Sequence, residues 1–418
     1  MKQTLLDCCI SITDGDHLPP PKSENGVPFI TISNFTPFNT VSFENTMFVS
    51  RKYYDSLPDC KKPRQGDILY SMVGSFGIPV YIEDDRPFVF QRHIAILRPK
   101  QAICGKYLYY LLLNPQFYKL MDKLAIGCAQ RTITLDTLRN LIVEFPNLHT
   151  QEKIAEVLST IDKKINSNIQ IRSELEAMAK TLYDYWFVQF DFPDENGNPY
   201  RTSGGEMVWN EQLNREIPKG WVAKSINSMV TSQRGITYDK HDLVQNPNDG
   251  VLILRGNNIQ NHKLIYDNNT AYIPADFISD GQRIKAHDIL ITMSSGSKEH
   301  IGKCVMAYYD LPHTYGAFLS KLTPDKDKRY FVYISMLSDF FKKKIKAICS
   351  GTGINNLTND TFNNVLLPVP SQKIMRKFEN IVASLFEKIG CCEAENEELT
   401  KLRDWLLPML MNGQATVE

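Results

Sequence analysis

Two stretches of the chain, GDILYSMVGSFG (residues 66–77) and HDILITMSSGSKEHIG (residues 287–302), follow one pattern. Each begins with a turn residue, an Asp and the apolar pair Ile-Leu, passes through a Met into small residues, and ends on Gly. A short apolar run bounded by Gly, Asp and Ser is typical of a strand that leads into a loop. The pattern therefore predicts one strand-and-loop piece that occurs twice.

Four further pairs of segments match in the same order and at a nearly constant offset. They are VPFITISNF (27–35) with VLILRGNNI (251–259), HIAILRP (93–99) with AFLSKLTP (317–324), GCAQRTIT (127–134) with GTGINNLT (351–358), and LIVEFP (141–146) with VLLPVP (365–370). Signals repeated in one order indicate a duplicated unit. Short strand-like runs and an amphipathic helix before each Gly loop predict that each lobe is mixed α/β.

Each lobe is followed by a segment that predicts a long helix. Residues 151–187 contain no Gly or Pro, and a 4–3 spacing typical of a coiled-coil seam runs through them. The seam positions are Ile154, Leu158, Ile161, Ile165, Asn168, Arg172, Leu175, Ala179, Leu182 and Trp186. The same offsets from Gln372 predict a second seam with Ile374, Phe378, Ile381, Leu385, Lys388, Cys392, Glu395, Leu399, Leu402 and Leu406. One such helix could pack on its own lobe. Two of matching length favour an antiparallel pair, with Arg172 bonded to Glu395 at its polar centre.

The chain length of 418 residues is typical of more than one domain. The repeats divide the chain into five parts. We expect a first lobe at 1–150, a central long helix at 151–187, a turn-rich connector at 188–219, a second lobe at 220–370, and a distal long helix with a C-terminal tail at 371–418.

The composition limits the classes of function. Net charge is zero overall, but residues 1–150 have 16 Lys and Arg against 14 Asp and Glu, and residues 220–370 have 17 against 13. Two slightly basic lobes therefore alternate with acidic connecting segments. The sequence has no 18-residue apolar run and no secretion signal, and its nine Cys lack CxxC spacing. We expect a cytoplasmic protein with reduced thiols and no membrane contact.

The sequence motifs do not predict a catalytic centre. The Gly-, Ser- and Lys-containing run at 294–302 lacks P-loop spacing, and the Pro-Pro-aromatic step of an adenine methyltransferase is missing. The stretch DGDH (14–17) resembles a metal cluster, but a polar surface turn is the favoured interpretation. We therefore expect a protein without catalytic residues or metal ligands.

The loops of both lobes instead contain the residue types that contact base edges and phosphates. The candidates for DNA contact in the first lobe are His17, Lys22, Arg51, Lys52, Gln91, Arg92, Gln130 and Arg131. The candidates in the second lobe are Gln233, Arg234, Asn257, Asn258, Lys298, Asn355 and Asn356.

Several stretches resemble the specificity (S) subunits of type I restriction–modification enzymes. The most specific is DFPDENGNPYRTSGGEMVWNEQLNREIPKGW (191–221), which is similar to the connector after the central helix in that family. LPPPKSENGVPFITISN (18–34), GDILYSMVG (66–74) and RGITYDK (234–240) are similar to the openings of its recognition domains. The resemblance covers the whole chain. One departure is that GTG (351–353) in the second lobe stands where the first lobe has GCA (127–129).

The resemblance implies two target-recognition domains, each followed by a long helix, with the helices paired as an antiparallel coiled coil. It implies that each domain recognises one half of a bipartite, asymmetric DNA target and so directs adenine methylation and restriction. The partners would be double-stranded DNA, two modification (methyltransferase) subunits and motor-nuclease restriction subunits. S-adenosylmethionine, ATP and magnesium would bind those subunits, and this chain would be non-catalytic and free of cofactors.

Two other interpretations make different predictions. A fused DNA methyltransferase with duplicated lobes would bind its cofactor as an isolated chain. A coiled-coil adaptor without a DNA role would not bind duplex DNA in a salt-sensitive manner.

Overall fold

The protein, in a computed structural model, divides into two compact units. Unit 1 comprises Met1–Ser167 and Glu395–Glu418, and unit 2 comprises Asn168–Ala394. Each unit therefore contains one predicted lobe and part of each predicted long helix. The structure describes residues 2–15, 20–36, 39–127, 130–266, 270–296, 299–349 and 356–417.

Unit 1 is built from short strands and short helices followed by one long helix. Its strands are β1 (Lys2–Thr4), β2 (Cys9–Asp14), β3 (Val27–Ile30), β4 (Met47–Val49), β5 (Ile68–Ser71), β6 (Pro79–Tyr81), β7 (Val89–Phe90), β8 (Ile94–Pro99) and β9 (Ile142–Glu144). Its helices are α1 (Arg51–Ser56), α2 (Gly105–Leu113), α3 (Pro115–Leu124), α4 (Leu135–Arg139) and the first part of α5 (Leu148–Tyr183). Within the described residues the sheets have the orders β2-β8-β5-β6, β4-β3-β7 and β1-β9.

Unit 2 begins within α5, which continues as a π-helical turn at Asp184–Val188. Its strands are β10 (Met207–Asn210), β11 (Arg215–Pro218), β12 (Val222–Ser225), β13 (Val230–Arg234), β14 (Val251–Leu254), β15 (Ile259–Gln260), β16 (Lys263–Leu264), β17 (Ala271–Ile273), β18 (Ile289–Thr292), β19 (Cys304–Met306), β20 (Thr314–Tyr315), β21 (Leu319–Pro324) and β22 (Leu366–Val369). Its helices are α6 (Arg329–Leu337), α7 (Asp339–Cys349) and most of α8 (Gln372–Met411).

The predicted duplication of a mixed α/β lobe is confirmed by the sheet topology. In the described part of unit 2 the strand orders are β13-β21-β18-β19, β17-β14-β20 and β12-β22, which repeat the three orders of unit 1. In both units the three-stranded sheet has one antiparallel and one parallel pair. Unit 2 differs by two added hairpins, β10-β11 and β15-β16.

The Asp in each of the two opening stretches closes the turn before a strand. Its carboxylate accepts the N–H of the residue three positions earlier, Arg64 for Asp67 at 2.9 Å and Lys285 for Asp288 at 2.8 Å. Both Asp side chains are buried, and Arg98 satisfies Asp67 further at 2.8 Å. A buried carboxylate needs hydrogen-bond partners, and the turn supplies one in each unit. The same turn therefore accounts for an Asp at both positions.

The residues at both ends of these stretches adopt equivalent backbone conformations. Gly66 and His287, which precede the Asp, have φ of 91° and 72°, so a left-handed position is occupied by Gly in one unit and by His in the other. Gly77 and Gly302 have φ of 86° and 77°, and each donates its N–H to the last residue of β5 or β18 at 2.9 Å. The described ends of the two stretches therefore fold alike, although the second stretch is longer.

Both long helices contribute side chains to the core of each unit. In unit 1, Ile154 and Leu158 of α5 lie in the same core cluster as Leu407 and Leu410 of α8. In unit 2, the core likewise contains side chains from both helices, among them Tyr183, Trp186, Phe378, Val382 and Ile389. Burial of an aliphatic or aromatic side chain is worth about 1.5–3 kcal/mol. Each lobe is therefore stabilised by packing on both helices.

The predicted burial of the ten seam positions of α5 is confirmed, since all ten are buried or half-buried. The predicted seam of α8 is wrong, because Ile381 and Leu402 are 48% and 44% exposed while Met375, Val382 and Ile389 are buried. At Met375, Val382 and Ile389 the apolar face of α8 is shifted by one residue, because these side chains pack in the core of unit 2.

The predicted bond between Arg172 and Glu395 is also wrong. Arg172 bonds to Glu176 at 2.8 Å and to Glu393, whereas Glu395 lies 3.1 Å from Lys164. Glu393 lies two positions before Glu395 on α8, so the side chain that faces Arg172 differs from the predicted one.

Contacts between the helices inside unit 1 run in opposite order along the two segments. Asp162 accepts from Arg403 at 3.1 Å, and the carbonyl of Ile165 accepts from Asn396 at 3.3 Å. This order is the one that antiparallel pairing requires, and pairing along the full helices stays a prediction. Neither of the long helices, nor any other described helix, is apolar enough over a sufficient length to cross a membrane.

Candidate nucleic-acid interface

In unit 1, backbone hydrogen bonds join the loop after β5 to two segments that contain predicted DNA contacts. The N–H of Met72 donates to the carbonyl of His93 at 2.8 Å, and the N–H of Gly74 donates to the carbonyl of Arg131 at 3.0 Å. The loop after β5 therefore contacts both the turn between β7 and β8 and the segment before α4. These contacts bring together four predicted residues, Gln91, Arg92, Gln130 and Arg131.

A glycine holds the segment after β2 or β13 against the same turn in each unit. A Cβ on Gly15 would lie 2.1 Å from the carbonyl oxygen of Phe90, and one on Gly235 would lie 2.3 Å from that of Gly316. No other residue fits such an approach without a shift of the backbone. The glycine after Arg234 in the sequence QRG is thus explained by packing.

The two arginines brought together in unit 1 differ in their charge environment. Arg92 is exposed, and its Nε lies 3.3 Å from Nε2 of His93. Within the described residues it has no carboxylate partner. Arg131 is paired with Asp122 at 3.3 Å and lies 6.0 Å from the centre of the Phe76 ring. Of these two arginines, Arg92 is the one without a carboxylate partner among the described residues.

The candidates on and near α1 are exposed. Arg51 bonds to Asp55 at 3.0 Å and lies 5.2 Å from the centre of the Tyr54 ring. Lys52 and Lys22 are exposed. The exposure of these residues is compatible with phosphate contact, which requires accessible cations rather than a built pocket.

In unit 2, a corresponding set of contacts surrounds the turn between β20 and β21. The N–H of Ser294 donates to the carbonyl of Phe318 at 3.3 Å, and its hydroxyl bonds to Asn356. Nε of Arg234 donates to the carbonyl of Ala317 at 3.2 Å. The structure thus brings Arg234 and Asn356 to one turn, although 122 positions separate them in the sequence.

Asn257 and Asn258 lie on one turn but differ in accessibility. Asn258 is 3% exposed, and its amide accepts from the N–H of Arg255 at 2.8 Å and donates to the carbonyl of Ile265 at 2.8 Å. The prediction of Asn258 as a DNA contact is wrong, because both ends of its amide hold the turn. Asn257 is exposed, as is Gln233 on β13. His17, Lys298 and Asn355 lie outside the described residues.

Two turns, 91–93 in unit 1 and 316–318 in unit 2, are equivalent in the structure. This equivalence was not recognised from the sequence. The first residue of each turn donates its N–H to the last residue of β3 or β14, at 3.0 and 2.9 Å. The carbonyl of the third residue, His93 or Phe318, accepts from the N–H of a Met at 2.8 or 2.9 Å. One backbone therefore presents Gln-Arg-His in unit 1 and Gly-Ala-Phe in unit 2. A one-residue shift in the matching of HIAILRP to AFLSKLTP would have revealed it.

Three buried side chains, Cys9, Cys304 and Glu379, have pKa values above their ordinary range. Burial raises the pKa of Cys9 and of Cys304 to about 12, which keeps both thiols protonated.

 Cys304 is fully enclosed in the core of unit 2, where its thiol has no access to solvent. Burial likewise raises the pKa of Glu379 to about 7, and its carboxylate accepts the N–H of Phe331 at 2.7 Å, which caps α6. The part of the chain that the structure describes holds no cluster of three or more His, Cys, Asp or Glu suited to a metal ion.

A duplicated scaffold with different side chains on equivalent loops fits a protein that recognises a ligand of two different parts. The exposed Arg, Gln and Asn side chains of these loops are of the types that contact base edges and phosphates. The chain belongs to the family described as type I restriction modification DNA specificity domain, which matches residues 19–177 and 218–401. It is a specificity subunit, as the resemblance of its motifs implied.

Relatives of known name support this assignment. The chain is 26% identical over 326 residues to the type I restriction enzyme MjaIX specificity subunit of Methanocaldococcus jannaschii, covering 77% of this chain and 71% of the relative. It is 25% identical over 409 residues to the HindI specificity subunit of Haemophilus influenzae, covering 85% and 87%. The fold is similar to the crystal structure of the type I restriction–modification S subunit from M. genitalium, with a TM-score of 0.56, 18% identity, and coverage of 98% and 95%.

Proposed function

We propose that each lobe of this specificity subunit recognises one half of a bipartite, asymmetric DNA target and thereby directs adenine methylation and restriction. The observation that carries the proposal is the pair of equivalent turns, 91–93 and 316–318, which share their backbone hydrogen bonds and differ in every side chain. Equal scaffolds place the turns alike against DNA, while unequal side chains select different bases. The two halves of the target therefore differ in sequence.

The proposed partners are double-stranded DNA, two modification subunits and motor-nuclease restriction subunits, in the cytoplasm where that DNA lies. S-adenosylmethionine, ATP and magnesium bind the partner subunits, and this chain contributes recognition without catalysis. The long helices, paired antiparallel as a coiled coil, separate the two recognition domains.

The domain limits proposed for this function follow the repeats. Residues 1–150 and 220–370 are the two target-recognition domains, 151–187 and 371–418 contain the long helices, and 188–219 is the connector. The proposed DNA contacts are His17, Lys22, Arg51, Lys52, Gln91, Arg92, Gln130, Arg131, Gln233, Arg234, Asn257, Lys298, Asn355 and Asn356.

Mapping methylated adenines in cells that express modification subunits with and without this chain tests the function. We expect a two-part motif that appears only when the chain is present. The purified chain alone should transfer no methyl group from labelled S-adenosylmethionine. Methyl transfer by the partner-free chain would instead favour the fused methyltransferase, and salt-insensitive or absent duplex binding would favour the adaptor.

A pair of arginine variants tests the assignment within unit 1. Arg92→Ala should weaken discrimination in one half of the target by about 1–3 kcal/mol if Arg92 contacts a base, and should weaken all duplexes alike if it contacts phosphate. Arg131→Ala is the matched control, and its effect should be smaller because Asp122 already neutralises that side chain. Competition binding with duplexes altered in one half measures both. An equal effect of the two variants would contradict the assignment.

A further inference from the structure

Phe318 is an exposed aromatic side chain on a rigid turn. It is 66% exposed, although the backbone around it is fixed. Gly316 donates to the carbonyl of Leu254 at 2.9 Å, Ala317 donates to that of Ile236 at 2.8 Å, and Leu319 donates to that of Gly316 at 2.8 Å. The exposure of Phe318 is therefore a property of a well-determined turn, because these backbone bonds tie the turn to the rest of the lobe.

The surroundings of Phe318 are polar. Ser294 contacts its carbonyl, Asn356 is bonded to Ser294, and Arg234 is bonded to the carbonyl of the preceding residue. Arg234 and Asn356 are exposed. An Arg and an Asn bond the N and O atoms of base edges, whereas a phenyl ring offers only apolar contact.

The same position in unit 1 has His93, which can donate and accept hydrogen bonds. Since the turn has the same backbone bonds in both units, the change from His to Phe replaces a polar contact by an apolar one at a fixed place. A base edge in the major groove has one apolar group, the 5-methyl of thymine.

We propose that Phe318 contacts the 5-methyl group of a thymine in the half of the target recognised by unit 2, with Arg234 and Asn356 bonding neighbouring polar atoms. This inference rests on the proposed function, because it specifies one base that unit 2 selects. Phe318 is then a specificity-determining residue. The polar and charged loop residues predicted from the sequence do not include it, because its side chain is apolar.

The test uses the full chain assembled with its modification subunits and a duplex that contains the mapped target. Each thymine of the target is replaced in turn by deoxyuridine, which removes only the methyl group. We expect one position in one half where the replacement weakens binding about fourfold, since burial of one methyl group is worth about 0.8 kcal/mol. Phe318→Ala should weaken binding to the thymine duplex and abolish the difference between thymine and deoxyuridine there.

Phe318→His is the second variant, because the equivalent turn in unit 1 carries His without loss of its backbone bonds. It should also abolish the deoxyuridine effect, while His93→Ala should leave that effect unchanged. Wild-type complex that prefers its target but shows no Phe318-dependent methyl effect at any thymine would overturn the inference and leave the proposed function intact. Wild-type complex without preference for the target would overturn the proposed function itself.

Discussion

Replacing Arg172 with Met should lower the free energy of unfolding of unit 2 by about 2–4 kcal/mol. Arg172 is 4% exposed, bonds to Glu176 at 2.8 Å and to Glu393, and donates to the carbonyl of His262 at 3.0 Å. Removal of one partner from a buried pair costs about 3–5 kcal/mol. We expect a smaller cost, because the side chains of Glu176 and Glu393 are 31% and 26% exposed and are partly solvated without Arg172. Burial alone lowers the pKa of Arg172, but the charges of Glu393 and Glu176 raise it above the ordinary value, so the guanidinium stays charged.

Urea unfolding together with hydrogen exchange measures this loss and locates it. Exchange should rise in the hairpin β15-β16, because the carbonyl of His262 in its turn loses a donor. Arg403→Met in unit 1 is the matched control, since Arg403 also bonds two carboxylates, Asp162 and Asp404, but keeps 24% exposure. Its cost should be about 1 kcal/mol. Equal costs for the two variants, or exchange that rises in unit 1 after Arg172→Met, would contradict the role given to Arg172.

The sequence predicted the scaffold because the signals of the scaffold are local. Asp67 and Asp288 each close a turn with a residue three positions away, and Gly77 and Gly302 each end a loop in a left-handed conformation. Such requirements act on neighbouring residues, so they recur in both copies and can be recognised as a repeat. The seam of α5 was predictable for the same reason.

The details of the candidate interface depend on tertiary contacts, which the sequence pattern does not contain. Asn257 and Asn258 are adjacent and chemically equal, but only Asn258 reaches the carbonyl of Ile265 and is buried. The partner of Arg172 likewise depended on which face of α8 packs on the lobe. Phe318 was overlooked because an apolar residue after a strand is ordinarily part of a core, and only the structure shows it exposed.

The largest change of specificity should follow exchange of residues 1–150 for the equivalent lobe of a relative with different loops. The graft must keep the packing surface for Ile154, Leu158, Leu407 and Leu410, since these helix residues complete the core of unit 1. A cavity left by one poorly matched aliphatic side chain costs about 2–5 kcal/mol and would unfold the graft instead of changing its target.

With that surface kept, every base in one half of the methylated motif should change and the other half should stay the same. The reason is that the turn 91–93 and its neighbours are bonded only within unit 1 among the described residues, while Arg234, Asn356 and the turn 316–318 belong to unit 2. Methylome sequencing of cells that carry the exchanged chain measures the result. Exchange of residues 220–370 is the matched control and should change the other half alone. A graft that folds and supports methylation but alters both halves would contradict this prediction. It would mean that the loops of one lobe influence the bases recognised by the other.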